Sequence, residues 1–154
     1  MSSILQTQTT SFKTELYTAV HNLSTDTLKI ALYTAAVDLN EATTAYSATN
    51  EVTGTGYVAG GVTLTGVTIS SSEYTAFVDF ADVVFGASVT ARCALIYNDT
   101  VVGKPSIAVL DFGSDKTSTN FTITMPANTA TAALIRSSQF KELFHDYRQN
   151  YRYR

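Results

Sequence analysis

Few side chains in this sequence could do chemistry: two histidines (His21 and His145), one cysteine (Cys93) and thirteen carboxylates. One cysteine cannot form an internal disulfide, and with two histidines it falls short of a zinc site built from those ligands alone. No serine stands in a G-x-S-x-G elbow, and no spacing assembles a nucleophile, base and acid. The expectation is therefore a non-enzymatic chain, with no catalytic residues, no metal site and no cofactor. Cys93 falls on the apolar face of a strand, the setting of an inert buried thiol. Each histidine is expected to be solvated or to hold structure through hydrogen bonds.

Four motifs resemble chemistry and fail on context. Asp111-Phe112-Gly113 has the letters of the protein-kinase metal-binding motif, but no catalytic loop or strand lysine accompanies it. The expectation there is a strand ending in a turn. Asp111 and Asp115 lack the rest of a calcium loop. Gly54-Thr55-Gly56 lacks the further glycine of a dinucleotide loop, and no G-K-[ST] occurs. Asn98-Asp99-Thr100 and Asn120-Phe121-Thr122 fit the glycosylation sequon. The polar stretch Met1–Thr10 shows neither the basic nor the apolar region of a secretory signal.

The C-terminal residues are the exception. Phe140, Leu143, Phe144, Tyr147 and Tyr151 recur at i, i+3, i+4, i+7 and i+11, one aromatic face of a helix. Lys141, Arg148, Arg152 and Arg154 surround them, and Tyr151-Arg152-Tyr153-Arg154 alternates as an extended segment would. Residues 1–135 hold five basic and eleven acidic side chains, a net −6, whereas residues 136–154 hold five basic and two acidic, a net +3. An acidic body with a basic aromatic arm suits docking on another protein, a second copy included. Phe140, Leu143, Phe144, Tyr147 and Tyr151 would be the anchors, with Tyr153 beside them. Arg148, Arg152 and Arg154 would set orientation and on-rate. Folding back on the body is the second possibility. Stacking on nucleic acid is the third, and the acidic body counts against it.

Elements must position these residues. Phe12, Leu16, Ala19, Val20 and Leu23 predict a helix over 11–23, capped by Ser11, with Glu15 in its first turn. The period then shifts to two. Strands are expected at 27–33, 62–69 with a bulge at Gly66, 74–80, 89–97, 106–112, 121–125 and 130–135. In the fourth, Val89, Ala91, Cys93, Leu95 and Tyr97 share one face. Residues 34–50 read as a long loop with a short helix, and 51–61 as a glycine-rich connection. Without βαβ alternation, the fold class is mainly β: an antiparallel β-sandwich or small barrel, one N-terminal helix and a C-terminal helical or extended arm. The division expected is a body, 1–136, and an arm, 137–154.

At 154 residues the chain is one domain's worth and buries about two thirds of its surface on folding. Charged residues are 15% and hydrophobic ones 45%, against disorder driven by net charge. No apolar run reaches the ~18 residues of a membrane span.

Five segments, taken in order, resemble small virion structural proteins of tailed bacteriophages. They are Leu28-Lys29-Ile30-Ala31-Leu32-Tyr33-Thr34; Thr43-Thr44-Ala45-Tyr46 leading to Asn50-Glu51-Val52-Thr53-Gly54-Thr55-Gly56-Tyr57-Val58-Ala59-Gly60-Gly61; Phe77-Val78-Asp79-Phe80-Ala81-Asp82; Ala91-Arg92-Cys93-Ala94-Leu95-Ile96-Tyr97-Asn98; and Val109-Leu110-Asp111-Phe112-Gly113-Ser114-Asp115-Lys116. The resemblance covers about residues 12–136, and the arm beyond Arg136 departs from it. It implies a capsid decoration, or cement, protein that binds the shell and clamps neighbouring subunits. Its partners would be other virion proteins, either the major capsid protein or ring neighbours in neck or tail, and it would be a homo-oligomer in a virion assembled in the bacterial cytoplasm. A head–tail connector, tail or fibre component is the alternative within that group. A glycan- or nucleic-acid-binding module is the alternative outside it, with Tyr46 and Tyr57 as exposed rings that could stack on sugars.

Overall fold

A computed structural model describes residues 3–138. It is mainly β, and its sheets are antiparallel. β1 (Thr7–Gln8) leads into the helix α1 (Thr10–Tyr17). Then follow β2 (Leu28–Tyr33), β3 (Val62–Thr63), β4 (Thr68–Ser72), β5 (Thr75–Asp79), β6 (Val83–Val84), β7 (Val89–Asn98), β8 (Ser106–Ser118), β9 (Thr122–Ile123) and β10 (Ile135–Ser138). A five-stranded sheet runs β1-β8-β7-β2-β3, a three-stranded one β10-β5-β4, and β6 pairs with β9. Among the described residues no sheet closes into a barrel.

The large sheet is buried on both faces, so β2 and β7 read as near-continuous apolar runs rather than as alternation. On one face Leu28, Ile30, Leu32, Ala94 and Ile96 pack with Phe12 of α1, Val78, Ile123 and Ile135. On the other, Ala31, Tyr33, Leu95, Tyr97 and Val109 are covered by Val37 and Leu39 of the loop between β2 and β3. That loop contains turns and isolated bridges but no helix, correcting the expectation for 34–50. Its glycine-rich end is held by contact: a Cβ on Gly61 (φ +75) would lie 1.9 Å from the Ile30 carbonyl oxygen.

Four further expectations are corrected. The helix runs 10–17, not 11–23, and its cap is Thr9, whose hydroxyl accepts from the Phe12 N–H and from the Ser106 hydroxyl. Ala19 (φ 58) turns the chain out of the helix, and His21 is drawn against the sheet by Asn98, so only Phe12 of the helix is buried. In β7 the face switches at Arg92. Val89 and Ala91 join the first core, whereas Cys93, Leu95 and Tyr97 join the second. The cause is a bulge: Ala91 pairs with Lys116 but Cys93 with Asp111. For the same reason β8 does not end near Phe112; it resumes pairing and runs to Ser118. The last strand begins at Ile135, after a turn over 130–134.

Candidate interaction surface

The arm anchors Phe140, Leu143, Phe144, Tyr147, Arg148, Tyr151, Arg152, Tyr153 and Arg154 lie outside the described residues. The surface they leave behind is the part of the body from which they emerge.

Many of the chemistry-bearing side chains of the body are occupied with one another. Glu51 accepts from the Tyr46 hydroxyl (2.6 Å), the Tyr57 hydroxyl (2.7 Å) and the Gly60 N–H (2.7 Å). The Tyr57 oxygen in turn accepts from the Leu32 N–H of β2 (2.9 Å). Tyr97 donates to the Gly60 carbonyl and Tyr33 to the Ser47 carbonyl. One carboxylate thus clamps the loop onto the large sheet. Burial, then the neighbouring Glu51, pushes the Tyr46 hydroxyl up to about 12, and burial raises Tyr33, Tyr57 and Tyr97 further. All four stay protonated donors at neutral pH. Tyr46 also stacks on Tyr97 at 4.5 Å between ring centroids. Tyr46 and Tyr57 are therefore half-buried, not the exposed rings a sugar platform needs.

His21 is buried. Its Nε2 lies 2.7 Å from Glu15 and its Nδ1 3.1 Å from the Asn98 amide, which donates to Asp26 (2.6 Å). The Asp111 carboxylate accepts from Gly113 N–H (2.8 Å) and pairs with Arg92. Those two contacts, the backbone one first, hold its carboxyl below the usual carboxylate range. The Asp-Phe-Gly stretch is thereby a bulge stitched to the neighbouring strand. Lys104 first, then Lys29, lowers Asp99 in the same direction. Burial pushes the Cys93 thiol up to about 12, so it is neutral and unreactive at physiological pH. Among the described residues, no three histidine, cysteine or acidic side chains group as metal ligands would. No helix there is long and apolar enough to cross a membrane.

What the body presents outward is apolar surface beside an open sheet edge. An apolar groove of about 420 Å³ lies between α1 and the three-stranded sheet, lined by Leu16, Leu23, Ile69, Ala76, Val78 and Ile135 among others. Leu16 and Ile69 are 43% and 57% exposed. β10, the strand from which the arm leaves, forms one wall, and Gln8 ties it to β1 through the Arg136 carbonyl (2.7 Å). β4 is an edge strand, and its sequence Thr-Ile-Ser-Ser-Ser carries no charge and no proline. Natural edges are commonly guarded by both. Sequence reasoning missed Leu16 and Ile69 as surface residues, because their apolar type and spacing are those of core positions. The signal available was the uncharged run at 68–72.

Comparison of the chain with protein-family models, with curated proteins and with solved structures finds no match.

Proposed function

We propose that this chain is a non-enzymatic structural protein of a tailed-bacteriophage virion, and that it decorates the capsid shell and clamps neighbouring subunits. One observation carries the reading. The segments that resemble such proteins are the frame of the body: β2, the end of β5, β7, β8 and the loop clamped by Glu51. Their polar side chains are tied into the bulge and the clamp, which makes a stiff body suited to presenting contacts. Repetition of modest contacts over a lattice gives high avidity without any single tight site. The basic aromatic arm supplies the contact, and the acidic body is better suited to the outside of a DNA-filled shell than to its lumen.

Gold-labelled antibodies to the body, applied to phage particles purified from cells that produce the chain, test this. Label spread over the whole shell is the expected result. Label confined to one vertex or the tail would move the protein to the neck or tail. Particles without label would overturn the virion reading.

A further inference from the structure

We propose that the β4 edge is a docking site for the C-terminal segment of a second copy of this chain, whose residues Tyr151–Arg154 add to the three-stranded sheet as a fourth strand. The proposal rests on reading residues 137–154 as an assembly arm.

The edge has the geometry for strand addition. β4 and β5 are joined by the two-residue turn Glu73–Tyr74, and they pair Ser72↔Thr75, Ser71↔Ala76, Ser70↔Phe77, Ile69↔Val78 and Thr68↔Asp79. A two-residue turn makes Ser72 and Thr75 a hydrogen-bonded pair, and such pairs alternate along an antiparallel ladder. Ser70 and Thr68 therefore bond inward to β5. Ile69 and Ser71 turn their N–H and C=O outward, and among the described residues β4 has no strand on that side.

The side chains an added strand needs are also defined. Residues opposite one another across a ladder share a face. A newcomer's residues beside Ile69 face the apolar groove, next to Leu16, Ala76 and Val78. Its alternate residues fall on the face of Thr68 and Ser70, where Asp79 stands one strand further in. Alternating aromatic and basic residues meet both demands: Tyr151 and Tyr153 toward the groove, Arg152 and Arg154 toward Asp79. The net charges, −6 on residues 1–135 and +3 on 136–154, have the right sign.

Reach favours a second copy over self-closure. β10 and β4 are the two edges of one sheet, about 10 Å apart. Read as a helix from its spacing, the stretch from Phe140 to Asn150 would span about 16 Å, more than the distance between the two edges.

The test uses full-length chains. A pool carrying I69C is mixed with a pool carrying Y153C and oxidised; the buried Cys93 stays out of reach. A covalent dimer of one chain from each pool is expected, reduced at least tenfold when the I69C chain also carries S71P. Proline at 71 removes an outward N–H that the β4–β5 hairpin does not use, so the melting curve should hold. Deletion of 151–154 is the second variant: in sedimentation the full chain is expected to gain mass as its concentration rises, and the deletion to remove that rise. Two results would overturn the proposal: no mixed dimer, or a mixed dimer indifferent to S71P. Loss of this contact with the shell still labelled would leave the virion reading standing. An intact contact with unlabelled particles would do the reverse.

Discussion

At the scale of single side chains, Glu51 holds the loop to the large sheet. Three donors converge on its carboxylate, and two belong to tyrosines that have given up water to reach it. Removing the acceptor orphans all three donors, and charge-assisted bonds are worth about 1.5–3 kcal/mol each. Glu51→Ala should lower unfolding stability by about 3 kcal/mol in a urea titration, with the loop over 34–61 the first region to gain hydrogen exchange. Cys93 offers a sharper test. With its thiol pushed up to about 12 and its side chain buried, it should not react with a thiol reagent at pH 8 in the folded protein. One equivalent should react in denaturant. Asp111 gives the pH dependence. Its folded carboxyl titrates below the unfolded value, so the stability it contributes is present above about pH 4 and is lost as pH falls through the lower, folded range. Asp111→Asn should lose less stability than the parent between pH 4 and pH 2, and chemical denaturation across that range would show it.

Elements, more than residues, decide how far the chain could be read from its sequence. The strand pattern of β2 was legible because Leu28, Ile30 and Leu32 alternate toward one core. The second face was not, because it is covered by a loop whose apolar residues, Val37 and Leu39, have no period. The bulge in β8 opposite Arg92 was invisible for a related reason. Val89, Ala91, Cys93, Leu95 and Tyr97 are all apolar, so a shift of face between the second and third leaves the pattern unchanged. The helix was overextended because hydrophobic spacing says nothing of Ala19 leaving the helix at positive φ or of Asn98 drawing His21 to the sheet. The expected arm rests on a change of period and charge beyond the described residues, and spacing alone names no surface for it. The loop-to-strand passage at Gly61 makes a prediction at this scale. Its positive φ and the Ile30 carbonyl at 1.9 Å from a built Cβ leave no room for a side chain. Gly61→Ala should cost about 3 kcal/mol or more, read as a lowered denaturation midpoint, since a backbone atom and not a flexible side chain must give way.

On the proposed reading, the whole molecule divides its labour between the body and a C-terminal arm that docks. The body has its own core on both faces of the large sheet, with cores built by residues from β2 through β10. Deleting 139–154 should therefore leave a folded, cooperatively melting body, while abolishing assembly. Collapse of the fold on that deletion would instead make the arm part of the core. The central claim is that the intact chain covers a phage shell. The measurement that tests it most directly is a cryo-EM reconstruction of particles purified from cells that produce this chain. Density over the capsomers, with the arm of one copy reaching its neighbour, is the result the account predicts. Density confined to the portal vertex or tail, or particles that lack the chain, would contradict it.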